Sequence, residues 1–96
     1  MIKIAICDDE QREIETANKS MQLYLASHPE IDAEVYEFSS AIELLNQIEN
    51  QGSFDILLLD IFLPGIHGID VARQLREDRN KCQIIFLTTS RDYAVE

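Results

Sequence analysis

The chain has 96 residues, 46% of them hydrophobic, and a formal net charge of −10 from 18 acidic and 8 basic residues. This length suits a single domain, so residues 1–96 are expected to form one unit. The acidic excess and the lack of any basic run argue against direct binding to a nucleic-acid backbone. No segment has the ~20 apolar residues of a transmembrane helix, and no signal peptide is recognisable. The sequence therefore predicts a cytoplasmic protein with no membrane partner.

The chain alternates short apolar segments with segments of helical periodicity. The apolar segments predict four strands, at Ile2–Cys7, Ala33–Phe38, Phe54–Asp60 and Cys82–Thr88. The segments between them predict three helices, at about 10–27, 40–50 and 69–79, and Ser90 is a candidate cap for a fourth. Strands that alternate with helices indicate right-handed crossovers and a parallel sheet. The expected fold class is therefore α/β, a three-layer doubly wound parallel sheet.

Acidic residues directly follow two of the predicted strands. Asp8 and Asp9 come after the first strand, and Asp60 ends the third. Because functional groups of parallel sheets lie at the carboxyl ends of the strands, these three carboxylates are expected to meet. Like charges in contact raise each other's pKa or need a cation, and Mg²⁺ is the cytosolic ion that suits oxygen ligands. An alternative role for Asp8 or Asp9 is to cap the first helix, which is compatible with metal binding.

Taken together, these features resemble the CheY-like receiver domain of two-component response regulators. The matching strings are ICDDE, LLLDIFLPGIHGIDVARQLRE and IIFLTTS, and the resemblance covers the whole chain. It implies the flavodoxin-like strand order 2-1-3-4-5. It also implies that Asp60 is the phosphoryl acceptor and that Asp9 binds Mg²⁺ directly, with Asp8 acting mainly through water. The backbone carbonyl of Phe62 matches the remaining protein ligand, and Thr88 matches the switch hydroxyl.

The resemblance implies a signalling domain rather than an enzyme. The phosphoryl donor would be a sensor histidine kinase, and the acyl phosphate would decay slowly on its own. Within the family, FSSAIELL and TTSRDYAVE look most like receivers attached to LytTR-type DNA-binding domains, so DNA would be bound only through an output domain beyond these residues. One alternative is a pseudo-receiver, an interaction module without phosphotransfer. A phosphohydrolase with an aspartyl nucleophile is less favoured, because Phe62 stands where that class needs a second acid.

The family pattern is incomplete at the C-terminal end. Receivers carry a lysine after a fifth strand, and Lys3, Lys19 and Lys81 are not placed to replace it. The sequence is therefore interpreted as a receiver truncated before strand five. Strand four, CQIIFLT, would then be an apolar edge, which invites pairing with another chain. Self-association through this strand is expected, with partial exposure of Ile84, Ile85, Phe86 and Leu87.

The remaining reactive side chains have simpler interpretations. Cys7 and Cys82 lie in apolar strand segments and are expected to be reduced core thiols. His67 is expected to be a solvent-facing turn residue rather than a metal ligand. His28 is expected at the C-terminal end of the first helix, where the dipole favours a basic group.

Overall fold

The structure is a computed structural model that describes residues 1–87, and Thr88 and the fourth helix predicted after Ser90 lie outside them. The element order is β1 (Ile2–Cys7), α1 (Gln11–Ala26), β2 (Ala33–Phe38), α2 (Ala41–Gln51), β3 (Ile56–Asp60), α3 (Gly68–Glu77) and β4 (Gln83–Leu87). All strand pairs are parallel, in the order β2-β1-β3-β4. The predicted α/β fold and strand order are confirmed. Among these residues no helix is long and apolar enough to cross a membrane.

The helices cover both faces of the sheet, which gives three layers. On one face Ile14 of α1 is buried against Ile6 and Leu58 of the two central strands. On the other face Leu44 of α2 and Leu75 of α3 join a larger cluster with alternate residues of the same strands. Alternate strand residues point to opposite faces, and the segments Ile4–Cys7 of β1 and Ile56–Leu59 of β3 are apolar because the sheet is covered on both faces there.

Two of the helix starts show how local sequence sets the boundaries. The spacing of Ser40 and Glu43 in the sequence predicts a helix start of the capping-box type, and the Oγ of Ser40 accepts a hydrogen bond from the Glu43 amide at 3.1 Å at the start of α2. Gly52, with a φ of 101°, ends that helix. Helix α3 begins at Gly68, one residue earlier than the periodicity predicts, because His67 serves as its N-cap.

Two details differ from the sequence expectations. Strand β3 begins at Ile56 rather than Phe54, because Phe54 turns into the core and packs against the rings of Tyr36 and Phe38, with centroids 5.5 and 5.6 Å apart. The helical periodicity places Tyr24 on the same apolar stripe of α1 as Ile14, Ala17 and Met21, yet Tyr24 is 53% exposed. It stacks on His28 instead, with ring centroids 4.1 Å apart. Cys7 and Cys82 are buried free thiols, as predicted.

Candidate functional site

The register of the central strands brings the acidic residues together. Cys7 at the end of β1 pairs with Leu59 of β3, so the next residue of each strand, Asp8 and Asp60, lies at the same level of the sheet edge. One carboxylate oxygen from each of Asp8, Asp9 and Asp60 lies within 4.8 Å of the others. We call these three residues the acidic cluster.

Burial and hydrogen bonding differ among the three acids. Asp8 is 5% exposed and Asp60 is 9% exposed, whereas Asp9 is open to solvent. The Oδ1 of Asp8 accepts a hydrogen bond from the Glu10 amide at 2.9 Å, and the Oδ1 of Asp60 accepts one from the Phe62 amide at 3.3 Å. Because Glu10 is the N-cap residue of α1, the alternative in which Asp8 or Asp9 caps that helix is wrong.

The electrostatics of the acidic cluster favour a bound positive charge. Burial raises the pKa of Asp8 to about 6. The hydrogen bond from the Glu10 amide opposes this rise, whereas the charges of Asp60 and Asp9 add to it. Burial also raises the pKa of Asp60, and the charge of Asp9 adds to it, while hydrogen bonds from neighbouring groups oppose it. Buried carboxylates that repel one another need a cation or a proton. Beneath them, burial and the nearby acids raise the pKa of the Cys7 thiol to about 12, so this thiol stays protonated.

The loop after Asp60 alternates buried and exposed side chains. Ile61 and Leu63 are each 7% exposed and anchor the backbone in the protein, whereas Phe62 between them is 41% exposed. The loop returns to its start, because the Gly68 amide donates a hydrogen bond to the Ile61 carbonyl at 2.7 Å. The first residue of α3 therefore lies directly against the end of β3.

Sequence reasoning missed the position of His67. Its side chain is half-buried rather than solvent-facing, and its Nδ1 accepts a hydrogen bond from the Ile69 amide at 3.2 Å. Its ring makes an edge contact with the ring of Phe62, with centroids 5.6 Å apart. Histidine is not among the preferred N-caps, but Asp70, an acid suited to a first helical turn, was the signal that the helix begins just after residue 67.

The groups that can hold a metal at this edge are hard oxygen ligands. The three carboxylates of the acidic cluster are in place, and Phe62 follows Asp60 by two residues in the same loop. Oxygen ligands of this kind suit Mg²⁺, which normally retains several waters. Thr88, the expected switch hydroxyl, lies outside the described residues, directly after Leu87, which pairs with Asp60.

The family model described as the response regulator receiver domain matches residues 4–96. The chain belongs to this family. Receiver domains of this family are signalling domains of two-component response regulators.

Two curated relatives align along the entire chain. The transcriptional regulatory protein BtsR of Escherichia coli is 31% identical over 96 residues. The sensory transduction protein LytT of Bacillus subtilis is 27% identical over the same length. The chain spans only 37% of each of these relatives.

Solved structures support the fold, and the chain covers a larger share of them than of the curated relatives. The response regulator TrrA of Thermotoga maritima, in complex with Mg(2+)-BeF, matches with a TM-score of 0.79 and 28% identity, covering 100% of this chain and 76% of TrrA. TrrA in complex with the histidine kinase ThkA matches with a TM-score of 0.74 and 29% identity, covering 93% of this chain and 70% of that chain.

Proposed function

We propose that this chain is the phosphoacceptor domain of a response regulator and takes a phosphoryl group onto Asp60 from a sensor histidine kinase. The observation that carries the proposal is the position of Asp60, almost buried at the carboxyl edge of the sheet and within 4.8 Å of two further acids. Membership of the receiver family supports it, as does the complex of TrrA with the kinase ThkA.

The proposed chemistry is an in-line displacement at phosphorus. A carboxylate oxygen of Asp60 forms the new P–O bond while the P–N bond of the donor phosphohistidine breaks, and the electron pair of that bond returns to the imidazole. Such transfers depend mainly on positioning and charge compensation. The Phe62 amide, which donates to Oδ1 of Asp60, restrains the rotation of the attacking carboxylate. Thr88 is proposed to donate its hydroxyl to the phosphoryl group afterwards.

Mg²⁺ is the proposed cofactor, and the residues fit it. Asp9 and Asp60 would be direct ligands, the carbonyl of Phe62 a third, and Asp8 would act through water. When bound, the ion would neutralise charge on the phosphoryl oxygens. The raised pKa values of Asp8 and Asp60 support the site, because burial and then the charges of neighbouring acids disfavour their ionised forms, and a bound cation would relieve both effects. TrrA, a structural relative, was solved with Mg²⁺.

The wider setting is also a proposal. We infer that residues 1–96 act as one receiver domain of a cytoplasmic transcriptional regulator, with DNA bound through a separate output domain. The strings FSSAIELL and TTSRDYAVE and the similarity to LytT favour the LytTR-type subfamily. The greater length of BtsR and LytT leaves room for such an output domain in a protein of this type.

The function is tested by phosphorylation with a small acyl phosphate in the presence of Mg²⁺. We expect the wild-type chain to gain one phosphoryl group by intact mass, and hydride reduction to mark residue 60. Asp60→Asn should gain none, whereas Asp32→Asn, which changes an exposed aspartate away from the site, should behave as wild type. Label at another residue would overturn the assignment of Asp60. No uptake by the wild type would favour the pseudo-receiver.

A second proposal concerns the edge strand β4. Ile85 and Phe86 are 52% and 41% exposed, and Ile84 and Leu87 are half-buried, so this strand presents apolar side chains on both faces. In the described sheet β4 pairs on one side only, with β3. We propose that the 96-residue chain self-associates through β4, because open apolar edges pair readily with other strands.

A further inference from the structure

We propose that His67 is a positioning residue for the metal site, and that it acts through the contact between its ring and the ring of Phe62. This inference rests on the proposed function, in which the backbone carbonyl of Phe62 is a ligand of Mg²⁺. It assigns to His67 a role at the loop between β3 and α3, where the sequence alone predicts only a turn.

The first step is the way in which Phe62 is held. The side chains of Ile61 and Leu63 are buried on either side of it, and its amide donates to Asp60. These contacts fix the N-terminal part of the loop to the strand. The exposed ring of Phe62 reaches across the loop and makes an edge contact with the ring of His67.

The second step is the way in which His67 itself is held. Its Nδ1 accepts the Ile69 amide, so the imidazole is fixed to the first turn of α3. The next residue, Gly68, donates to the carbonyl of Ile61. A histidine fixed in this way offers the Phe62 ring a rigid surface, because Gly68, which follows it, is bonded to the end of β3, and Ile69 is bonded to its imidazole.

The third step separates positioning from capping. Asparagine is a better N-cap than histidine and keeps an acceptor at this position, but it has no aromatic ring. His67→Asn should therefore preserve the start of α3 while it removes the contact with Phe62. Phe62→Ala removes the same contact from the other side and leaves the backbone carbonyl in place.

The experiment is a double-mutant cycle on the 96-residue chain, with Mg²⁺ titrated against the backbone amide signals of Asp8, Asp9 and Asp60. We expect His67→Asn and Phe62→Ala each to weaken Mg²⁺ binding by about two- to tenfold, the range of an aromatic pair. The double variant should bind Mg²⁺ no more weakly than the single variant that has the lower affinity, because the two substitutions remove the same contact. Thermal unfolding in a chelator should show His67→Asn within a few degrees of wild type.

The matched control is His28→Asn, which removes the other ring contact of a histidine, with Tyr24, away from the site. It should leave Mg²⁺ affinity unchanged. Wild-type affinity in His67→Asn, or additive losses in the double variant, would overturn the role of His67 while the proposed metal site stands. A wild-type chain whose signals do not respond to Mg²⁺ would overturn the metal site and this inference together.

Discussion

Asp8 is the most deeply buried acid of the acidic cluster, and it is held in a well-defined geometry. Its backbone amide donates to the Phe38 carbonyl at 3.1 Å, which continues the pairing of β1 with β2, and its side chain accepts the Glu10 amide. Asp8 therefore has no freedom to move its charge away from Asp60. The geometry favours cation binding at the cost of stability when no cation is present.

A pH dependence of stability follows at this residue. The pKa of Asp8 is raised from 3.8 to about 6 in the folded chain. The folded state therefore binds the proton more tightly than the unfolded state, so the contribution of Asp8 to the free energy of unfolding falls as pH rises from about 4 through 6. In a chelator, Asp8→Asn should be more stable than wild type at pH 7, and this advantage should shrink towards pH 4.

Chemical denaturation across this pH range measures the effect. Asp32→Asn is the matched control, because Asp32 is exposed. The difference between its free energy of unfolding and that of wild type should not change with pH in the way expected for Asp8→Asn. An Asp8→Asn variant that is less stable at pH 7, or whose advantage does not depend on pH, would contradict the prediction. Saturating Mg²⁺ should reverse the order of the two proteins at pH 7, since a ligand stabilises the state that binds it.

At the scale of secondary-structure elements, β3 and α3 pack closely at their junction beside the site. A Cβ atom at Gly68 would collide with the carbonyl oxygen of Asp60 and would lie 2.8 Å from the Cα of Ile61. These are backbone atoms, so a larger residue must displace the helix or the strand end that carries Asp60.

Gly68→Ala should therefore affect both stability and the site. Overpacking of this kind costs about 1–3 kcal/mol in the free energy of unfolding, and Mg²⁺ binding should weaken because Asp60 moves. Ile69→Ala, at the neighbouring 37% exposed position, should stay within about 0.5 kcal/mol of wild type. Denaturant titration with and without Mg²⁺ separates the two effects. A Gly68→Ala protein with wild-type stability would show that the junction can relax.

The elements also show what a sequence can and cannot predict. Local patterns predict the strand bounds at Ile2–Cys7 and Ala33–Phe38 and the N-cap at Ser40, and the structure has all three. The meeting of the acids follows from the parallel order of the strands. The position of His67 at the start of α3 could not be predicted from a local pattern. Its ring contact with Phe62 depends on how the seven-residue connection between β3 and α3 folds back on itself.

At the scale of the whole molecule, the exposed side chains of β4 give the proposed self-association a direct test. We expect the average mass of the 96-residue chain, measured by light scattering, to rise with concentration. Ile85→Lys should keep the chain monomeric, because a charge on an edge strand opposes pairing. Ile42→Lys places the same charge at a 68% exposed position of α2 and should associate as wild type does. A wild type that is monomeric at every concentration would contradict the proposal.

The parallel arrangement of β1 and β3 also has a consequence for the order of events during synthesis. Asp8 and Asp60 are neighbours in space, yet a complete helix–strand–helix segment separates them along the chain. At about 5–20 residues per second, a ribosome would add Asp60 several seconds after Asp8. Throughout that interval the nascent chain carries an acid pair without its third member. Neither the proposed binding of Mg²⁺ by all three acids nor the proposed phosphorylation of Asp60 can therefore begin until β3 has left the exit tunnel and paired with β1. A partly synthesised chain would then be unable to enter the phosphorylated state.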